Sequence, residues 1–420
     1  MNLLVLSINY SPEPTGFAPH VTDLCEYLAS KRHNVTVLTG FPFAPYWRRY
    51  NGYAGKFVKF ETLNDVQLVR LTHFIPRKPS SILERICMEG TFCLVAGMIF
   101  MRLSRSHFDM VLYVGAQPSL AMLARIIGNA KKIPYVAAIN DLAAQAAGEA
   151  GIARFDPLKR ILAKFEYSAY RKATGAMVLC EGFRDALRKN GYPDEKIKII
   201  RSPINIDSIY PKKDKYAFRE SYGIAKASFV ILWAGSMGIK QGLSNIIEAS
   251  KLSKRLGISV LWVLVGDGEA RRSLEAEAKK YNLESYIKLL PFQPEDHISD
   301  VFSTADVLLL NQLSMVKNTV MPSKLLTYMA AGLPVLAAVN ADSQAAELMR
   351  ASEGGVIVEP ENPMALIEGL KGLMNDKKIR EEMGERNRTY AVEHFDRKKI
   401  LISQEMFLMD VALGRGDEKS

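Results

Sequence analysis

Two lysines stand where an anion could be held. Lys240 sits among glycines in Ala234-Gly235-Ser236-Met237-Gly238-Ile239-Lys240-Gln241-Gly242, just ahead of a helical pattern from Leu243 to Lys251. Lys324 belongs to Pro322-Ser323-Lys324-Leu325-Leu326-Thr327-Tyr328-Met329-Ala330-Ala331-Gly332-Leu333-Pro334-Val335. There an apolar helix follows a proline-containing loop, Gly332 falls where the helix end needs a positive φ, and the next strand begins at Pro334. A helix start presents unpaired amides carrying partial positive charge, and glycines let backbone approach a ligand closely, so both segments suit phosphate. Lys240 is the best single candidate to meet a diphosphate, and Lys324 is a second.

Other strand-following loops carry glycine too. Ser11-Pro12-Glu13-Pro14-Thr15-Gly16 follows a first apolar run, with His20 four residues beyond Gly16 at a helix start, and Gly266-Asp267-Gly268 follows Leu261 to Val265. Asn140-Asp141 ends the run Tyr135 to Ile139; the Asp141 carboxylate could orient a hydroxyl or stabilise developing positive charge, and it could equally cap a helix from Leu142 to Ala147. His33, His73, His107, His297 and His394 share no ligand-like spacing, and no Asp-x-Asp pair is present to hold a divalent ion on a diphosphate. Neither Gly-x-Gly-x-x-Gly at a first strand nor a P-loop occurs, which disfavours dinucleotide enzymes and ATPases. No metal or other cofactor is therefore expected, and diphosphate charge falls to lysines, amides and helix ends.

The elements that must position these residues alternate strand and helix. Strands are expected at Leu3–Ile8, Val35–Thr39, Val66–Leu71, Met110–Val114, Tyr135–Ile139, Ala176–Cys180 and Ile197–Ile200. A second series runs through Phe229–Trp233, Ser259–Val265, Tyr286–Leu289, Val307–Leu310, Pro334–Ala338 and Gly355–Val358. That βα rhythm is the mark of doubly wound parallel sheets. It breaks near Pro203, and 420 residues exceed one core, so the chain reads as two α/β domains, 1–205 and 206–385, with a helical tail, 386–420, packing back on the first. Ligands in such sheets bind beyond the strands' C-terminal ends, here in a cleft between the domains.

Charge is uneven. Residues 1–205 hold 27 Lys plus Arg against 16 Asp plus Glu, a balance of +11, while the remainder is nearly neutral within a net charge of +10. Without an arginine-rich stripe or a nucleic-acid module, nucleic acid is excluded as partner, and an anionic membrane surface or a diphosphate-bearing partner fits better. The uncharged run Gly90–Met101, flanked by Arg77, Lys78, Arg85, Arg102 and Arg105, is too short to span a bilayer, which takes roughly 20 residues. It either packs in the core or lies in a lipid interface. Four cysteines without metal-type pairing and no leader before Met1 suggest a reducing cytoplasm.

Gly16, the Pro203-Ile204-Asn205-Ile206-Asp207 linker, Lys240-Gln241-Gly242, Gly266-Asp267-Gly268, Ala305-Asp306-Val307 and the Pro322–Val335 motif, in this order, resemble a retaining glycosyltransferase of family 4. Within it, Ser7-Ile8-Asn9-Tyr10-Ser11-Pro12-Glu13, Pro45-x-Trp47, Pro76-Arg77-Lys78-Pro79-Ser80 and Pro322-Ser323-Lys324-Leu325 look most like transferases of colanic acid and O-antigen assembly, a group that includes an N-acetyl-L-fucosamine transferase. The resemblance implies the GT-B fold, two Rossmann-like domains facing a central cleft. It also implies metal-independent transfer from a UDP-sugar to a lipid-linked, polyprenyl diphosphate-borne saccharide, by an enzyme peripheral on the inner face of the cytoplasmic membrane. The first domain would meet acceptor and membrane, with Glu13, His20 and Asn140 toward the acceptor. Gly16, Gly235, Ser236, Lys240, Gly266, Thr319, Ser323, Lys324, Leu325 and Thr327 would meet the donor, and Asp141 and Lys240 would act in catalysis. On the same face of the sugar the leaving diphosphate would take the acceptor proton.

The chain departs from that pattern where the family carries two glutamates eight positions apart. Counted back from Gly332, those positions hold Thr319 and Thr327, and the usual arginine after the second-domain glycine is Ser236. Threonine accepts a hydrogen bond without charge, which points to a donor with a different hydroxyl pattern, such as a 6-deoxy or N-acetylamino sugar. Two other readings fit: a nucleotide-sugar 2-epimerase of GT-B fold, which would need no basic membrane face, and a catalytically silent scaffold subunit.

Overall fold

The computed structural model describes residues 1–14, 16–79, 81–103, 106–142, 156–212, 214, 216–238, 241–316 and 323–414, with the side chains of 156–159, 162 and 295 left aside. It divides into two compact units, Met1–Ser202 with Lys398–Ser420, and Pro203–Arg397.

In the first unit the chain runs β1 (Asn2–Leu6), α1 (Ala18–Ser30), β2 (Asn34–Gly40), β3 (Val58–Leu63), β4 (Val66–Leu71), α2 (Ile82–Arg102), β5 (Met110–Gly115), α3 (Pro118–Lys131), β6 (Tyr135–Ile139), α4 (Asp156–Tyr170), β7 (Gly175–Val178), α5 (Glu181–Lys189) and β8 (Ile197–Ile199). The sheet order is β3-β4-β2-β1-β5-β6-β7-β8. Every pair is parallel except the β3–β4 hairpin, whose edge strand β3 is not among the expected strands. Asn64 and Asp65, at φ +48° and +63°, make its two-residue turn. β5 and β6 are buried along their whole length, as befits strands covered on both faces. Along β1, Leu4 and Leu6 enter one core and Leu3 and Val5 the other.

The second unit runs α6 (Ala217–Ser221), β9 (Val230–Ala234), α7 (Ser244–Leu256), β10 (Leu261–Val265), α8 (Arg271–Lys280), β11 (Ile287–Leu290), α9 (Ile298–Ser303), β12 (Val307–Asn311), α10 (Ser323–Ala330), β13 (Val335–Ala338), α11 (Gln344–Ser352), β14 (Gly355–Val358), α12 (Pro363–Asn375) and α13 (Lys377–His394). Its all-parallel sheet has the order β11-β10-β9-β12-β13-β14. In each sheet the chain reverses its direction of winding once: between β1 and β5 in the first, between β9 and β12 in the second. The carboxyl ends flanking such a switch are where open α/β sheets take ligands. They carry the Gly16 loop in one unit and the Gly235 loop in the other.

The tail differs from the expected 386–420. Residues through Arg397 belong to the second unit, because Asn387 donates to the Leu333 and Gly354 carbonyls at 2.9 and 2.7 Å and Arg388 donates to the carbonyls of Ile206, Ile209 and Ala330. The final helix, α14 (Arg397–Ala412), lies from Lys398 on with the first unit. There Leu408 and Val411 enter the core, and Glu405 accepts from Tyr27 Oη at 2.7 Å and pairs with His33 at 3.0 Å.

Candidate functional site

The best-formed constellation lies beyond β9, β10 and β12 of the second unit. Its centre is a close approach of two glycines. Gly266, at φ +149°, has no room for a side chain because a Cβ there would stand 1.9 Å from the Gly235 carbonyl oxygen. The Gly235 amide donates to Val265 O at 2.9 Å, and Met237 exchanges bonds with the next loop: its amide donates to Asp267 O at 2.8 Å, and its carbonyl accepts from Ala270 at 3.1 Å. The loops after β9 and β10 thus form one backbone-to-backbone layer, held from β12 by Asn311, whose Nδ2 donates to Gln241 O at 2.6 Å and Gly242 O at 3.0 Å.

Across that layer lies Lys324, in the first turn of α10. Its Nζ donates to Gln241 Oε1 at 3.0 Å and stands 3.7 Å from the centroid of the Trp233 ring. No carboxylate among the described residues pairs with it. Burial without a counter-ion pulls its pKa from the usual 10.5 down to about 7. α10 is anchored beneath by Tyr328, whose buried hydroxyl accepts from the Ala234 amide at 2.9 Å and faces the Ala234 carbonyl at 3.3 Å. A desolvated ammonium held over glycine backbone is stabilised by an anion, and the arrangement leaves that role to a ligand.

Of the other residues expected here, Ser323 is exposed at the start of α10 and Ser236 is exposed beside Gly235. Thr327 turns its hydroxyl back to Ser323 O at 3.0 Å. The Leu325 side chain is completely buried in the core, on the apolar side of α10, where it seats the helix, which leaves its backbone amide in the first turn as the part of it that could face a ligand. Lys240 and Thr319 lie outside the described residues. Trp233 and Gln241 emerge as the residues that hold Lys324; the sequence signal was their place at either end of the Gly235 loop.

In the first unit, Gly16 is exposed at φ +68°, a conformation that favours glycine, and His20 is half-buried in the first turn of α1. Glu13 is turned inward. Only 3% exposed, it uses both carboxylate oxygens internally: Oε1 accepts the amides of Phe43 and Ala44 at 2.7 and 2.8 Å, and Oε2 accepts Asn9 Nδ2 at 2.8 Å. Burial raises its pKa although those bonds favour the anion. It ties the loop after β1 to the loop after β2, and its burial turns the carboxylate toward the fold. Asn140 caps β6, its amide donating to Gly115 O at 3.1 Å, and half-buried Asp141 accepts the Leu142 amide on Oδ1 at 2.9 Å. The helix it was expected to cap falls outside the described residues beyond Leu142. Among the described residues no cluster of His, Cys, Asp and Glu could hold a metal ion.

Comparison with known proteins now gives the class. Residues 15–203 match the glycosyl transferase 4-like domain and residues 214–390 the glycosyl transferases group 1 family, so the two matches take one unit each. The chain belongs to these glycosyltransferases, and its two parallel-sheet α/β domains are the GT-B fold. It is 26% identical over 378 residues to the putative colanic acid biosynthesis glycosyl transferase WcaI of Escherichia coli (strain K12), covering 88% of this chain and 91% of that one. Its fold is similar to that of the sucrose-phosphate synthase from Thermosynechococcus elongatus (TM-score 0.74, 15% identity, 99% and 100% of the two chains). It is also similar to HepE from Anabaena, solved in complex with UDP (TM-score 0.73, 16% identity, 98% and 100%).

Proposed function

We propose that this glycosyltransferase moves a sugar, with retention, from a UDP-sugar to a lipid-linked, polyprenyl diphosphate-borne saccharide at the inner face of the cytoplasmic membrane. The product would be a cell-surface polysaccharide such as O-antigen, capsule or exopolysaccharide. The observation that carries the reading is Lys324, a half-buried ammonium that no described carboxylate pairs with, laid over the glycine layer at the switch point of the second sheet. A donor diphosphate supplies the missing counter-charge. UDP bound to a neighbour of the same fold supports the nucleotide, and the colanic acid relative supports the polysaccharide class.

With Lys324 and Lys240 on the diphosphate, no divalent ion is needed to neutralise it. Asp141 acts on charge developing at the anomeric carbon, and the leaving oxygen takes the acceptor proton. Thr319 and Thr327 read a donor of hexosyl or N-acetylhexosaminyl type, a 6-deoxy or N-acetylamino sugar. Calorimetric titration with UDP-, GDP- and ADP-sugars in EDTA tests the donor half. Binding of UDP-sugars in EDTA, lost in Lys324→Met, is expected; no binding of any nucleotide would sink the reading.

A further inference from the structure

Helix α2 is apolar on two opposite sides. One side, with Met88, Phe92, Val95, Ala96 and Ile99, fills the core of the first unit. The other is bare. Leu83, Ile86, Leu94, Met98 and Met101 are 76, 54, 70, 47 and 67% exposed, and at 100° per residue they fall within an arc of about 120° that contains no charged residue.

The charges of α2 are arranged around this face by sign. Both carboxylates are engaged: Glu84 accepts the amides of Arg77 and Lys78 at 2.6 and 2.8 Å, and Glu89 accepts the Ser119 hydroxyl. The first of these contacts pins the exposed Arg77-Lys78 pair beside the start of the helix, where exposed Arg85 donates to Pro79 O at 2.6 Å. Exposed Arg102 closes the other end. An apolar stripe with fixed cations at both ends and no free acid complements an anionic surface with an apolar interior.

We propose that the outward face of α2 lies in the surface of an anionic lipid bilayer, the stripe among the upper acyl chains and Arg77, Lys78 and Arg102 at the head groups. A second copy of the chain fits less well. A helix of this length presents about 30 by 10 Å, or roughly 300 Å², against about 800 Å² per partner in a standard stable interface. The helix lies on the bilayer and does not cross it, for no helix among the described residues is long and apolar enough to span. The earlier expectation for Gly90–Met101 is refined in phase, since Ile99 points into the core and Leu94, Met98 and Met101 point out.

The proposal deepens the lipid-linked acceptor reading and rests on it for its purpose, but it is tested without donor or acceptor. The full chain is sedimented with vesicles of phosphatidylcholine alone and with vesicles that also contain phosphatidylglycerol. Binding is expected only with phosphatidylglycerol, falling with added salt, and about tenfold weaker in Leu94→Ser/Met98→Ser/Met101→Ser. That variant should melt as the wild type does and keep UDP-sugar affinity. Equal binding to both vesicles, an unchanged triple variant, or no vesicle binding with concentration-dependent dimers in light scattering would overturn the proposal. Failure here with UDP-sugar binding intact leaves the transferase reading standing, and the converse holds.

Discussion

Lys324 occupies the space that a side chain on Gly235 would need. A Cβ built on Gly235 would stand 2.3 Å from Lys324 Cε and 2.6 Å from Nζ, and the glycine sits at φ +143°. Gly235 is therefore required both for its backbone conformation and for the passage of the lysine. Gly235→Ala should cost about 1 to 3 kcal/mol of stability. By displacing the ammonium it should also weaken UDP-sugar binding by about 2 kcal/mol, the scale of a hydrogen bond to a charged group. Denaturant titration and calorimetry on the folded protein separate the two losses. Unchanged affinity would remove Lys324 from the diphosphate.

The pH response follows from the same lysine. Its folded pKa, about 7, lies below the usual 10.5, so below pH 7 both folded and unfolded chains carry the ammonium and the folded state bears the full cost of burying it. Between about 7 and 10.5 the folded state sheds the proton first, and stability should rise with pH. Donor binding runs the other way. The sugar-linked diphosphate has no proton to lose in this range and favours the ammonium, so affinity should be greatest below about pH 7 and fall above it. Lys324→Met should raise the melting temperature, flatten both profiles and abolish tight binding; a variant less stable than wild type would argue for a structural lysine.

Lys240 rests on sequence alone, as a lysine among glycines before a helix in a chain without an Asp-x-Asp pair. Lys240→Ala should weaken donor binding or turnover by about 2 to 4 kcal/mol. Wild-type turnover should survive EDTA. Kinetics of Lys240→Ala equal to wild type, or activity abolished by EDTA and restored by a divalent ion, would move the diphosphate charge elsewhere.

What the sequence revealed and what it hid divides on a physical line. Buried parallel strands such as Met110–Gly115 and Val307–Asn311 announce themselves as unbroken apolar runs, and Gly332, at φ +69°, stands at the helix end where the pattern placed it. The edge strand Val58–Leu63 alternates exposed and half-buried residues and reads as loop, although Asn64-Asp65 signals the hairpin. The phase of α2 is hidden because the helix is apolar on two opposite sides. The burial of Lys324 depends on a contact between residues far apart in the chain, Gly235 and Lys324, and so no local pattern reports it. The side chain of Leu325, beside it, faces the core by the phase of the helix.

Thr327 sits one turn into α10 with its hydroxyl on Ser323 O, and Thr319 precedes the helix. Replacing both, Thr319→Glu with Thr327→Glu, should change donor preference without a general gain in activity. A carboxylate lacking its partner hydroxyl is costly to desolvate, so the native donor should suffer most. Competition among UDP-sugars measures the ranking. The same ranking at equal efficiency would show that these threonines do not read the sugar.

Glu13 supplies the test that separates a structural carboxylate from an acceptor-binding one. Its oxygens satisfy the Phe43 and Ala44 amides and the Asn9 side chain, so Glu13→Ala leaves these three buried or part-buried donors without that acceptor and should cost about 2 to 4 kcal/mol of stability. Glu13→Gln keeps one oxygen for the two amides, and should lose less. The raised pKa adds a sign. As pH rises, the unfolded carboxyl ionises before the folded one, so wild-type stability should fall across the window just above the usual glutamate pKa, and Glu13→Gln should lack that slope. Urea titrations of the three proteins across mildly acidic pH measure all of this. A Glu13→Ala protein as stable as wild type but unable to use acceptor would return Glu13 to the acceptor site.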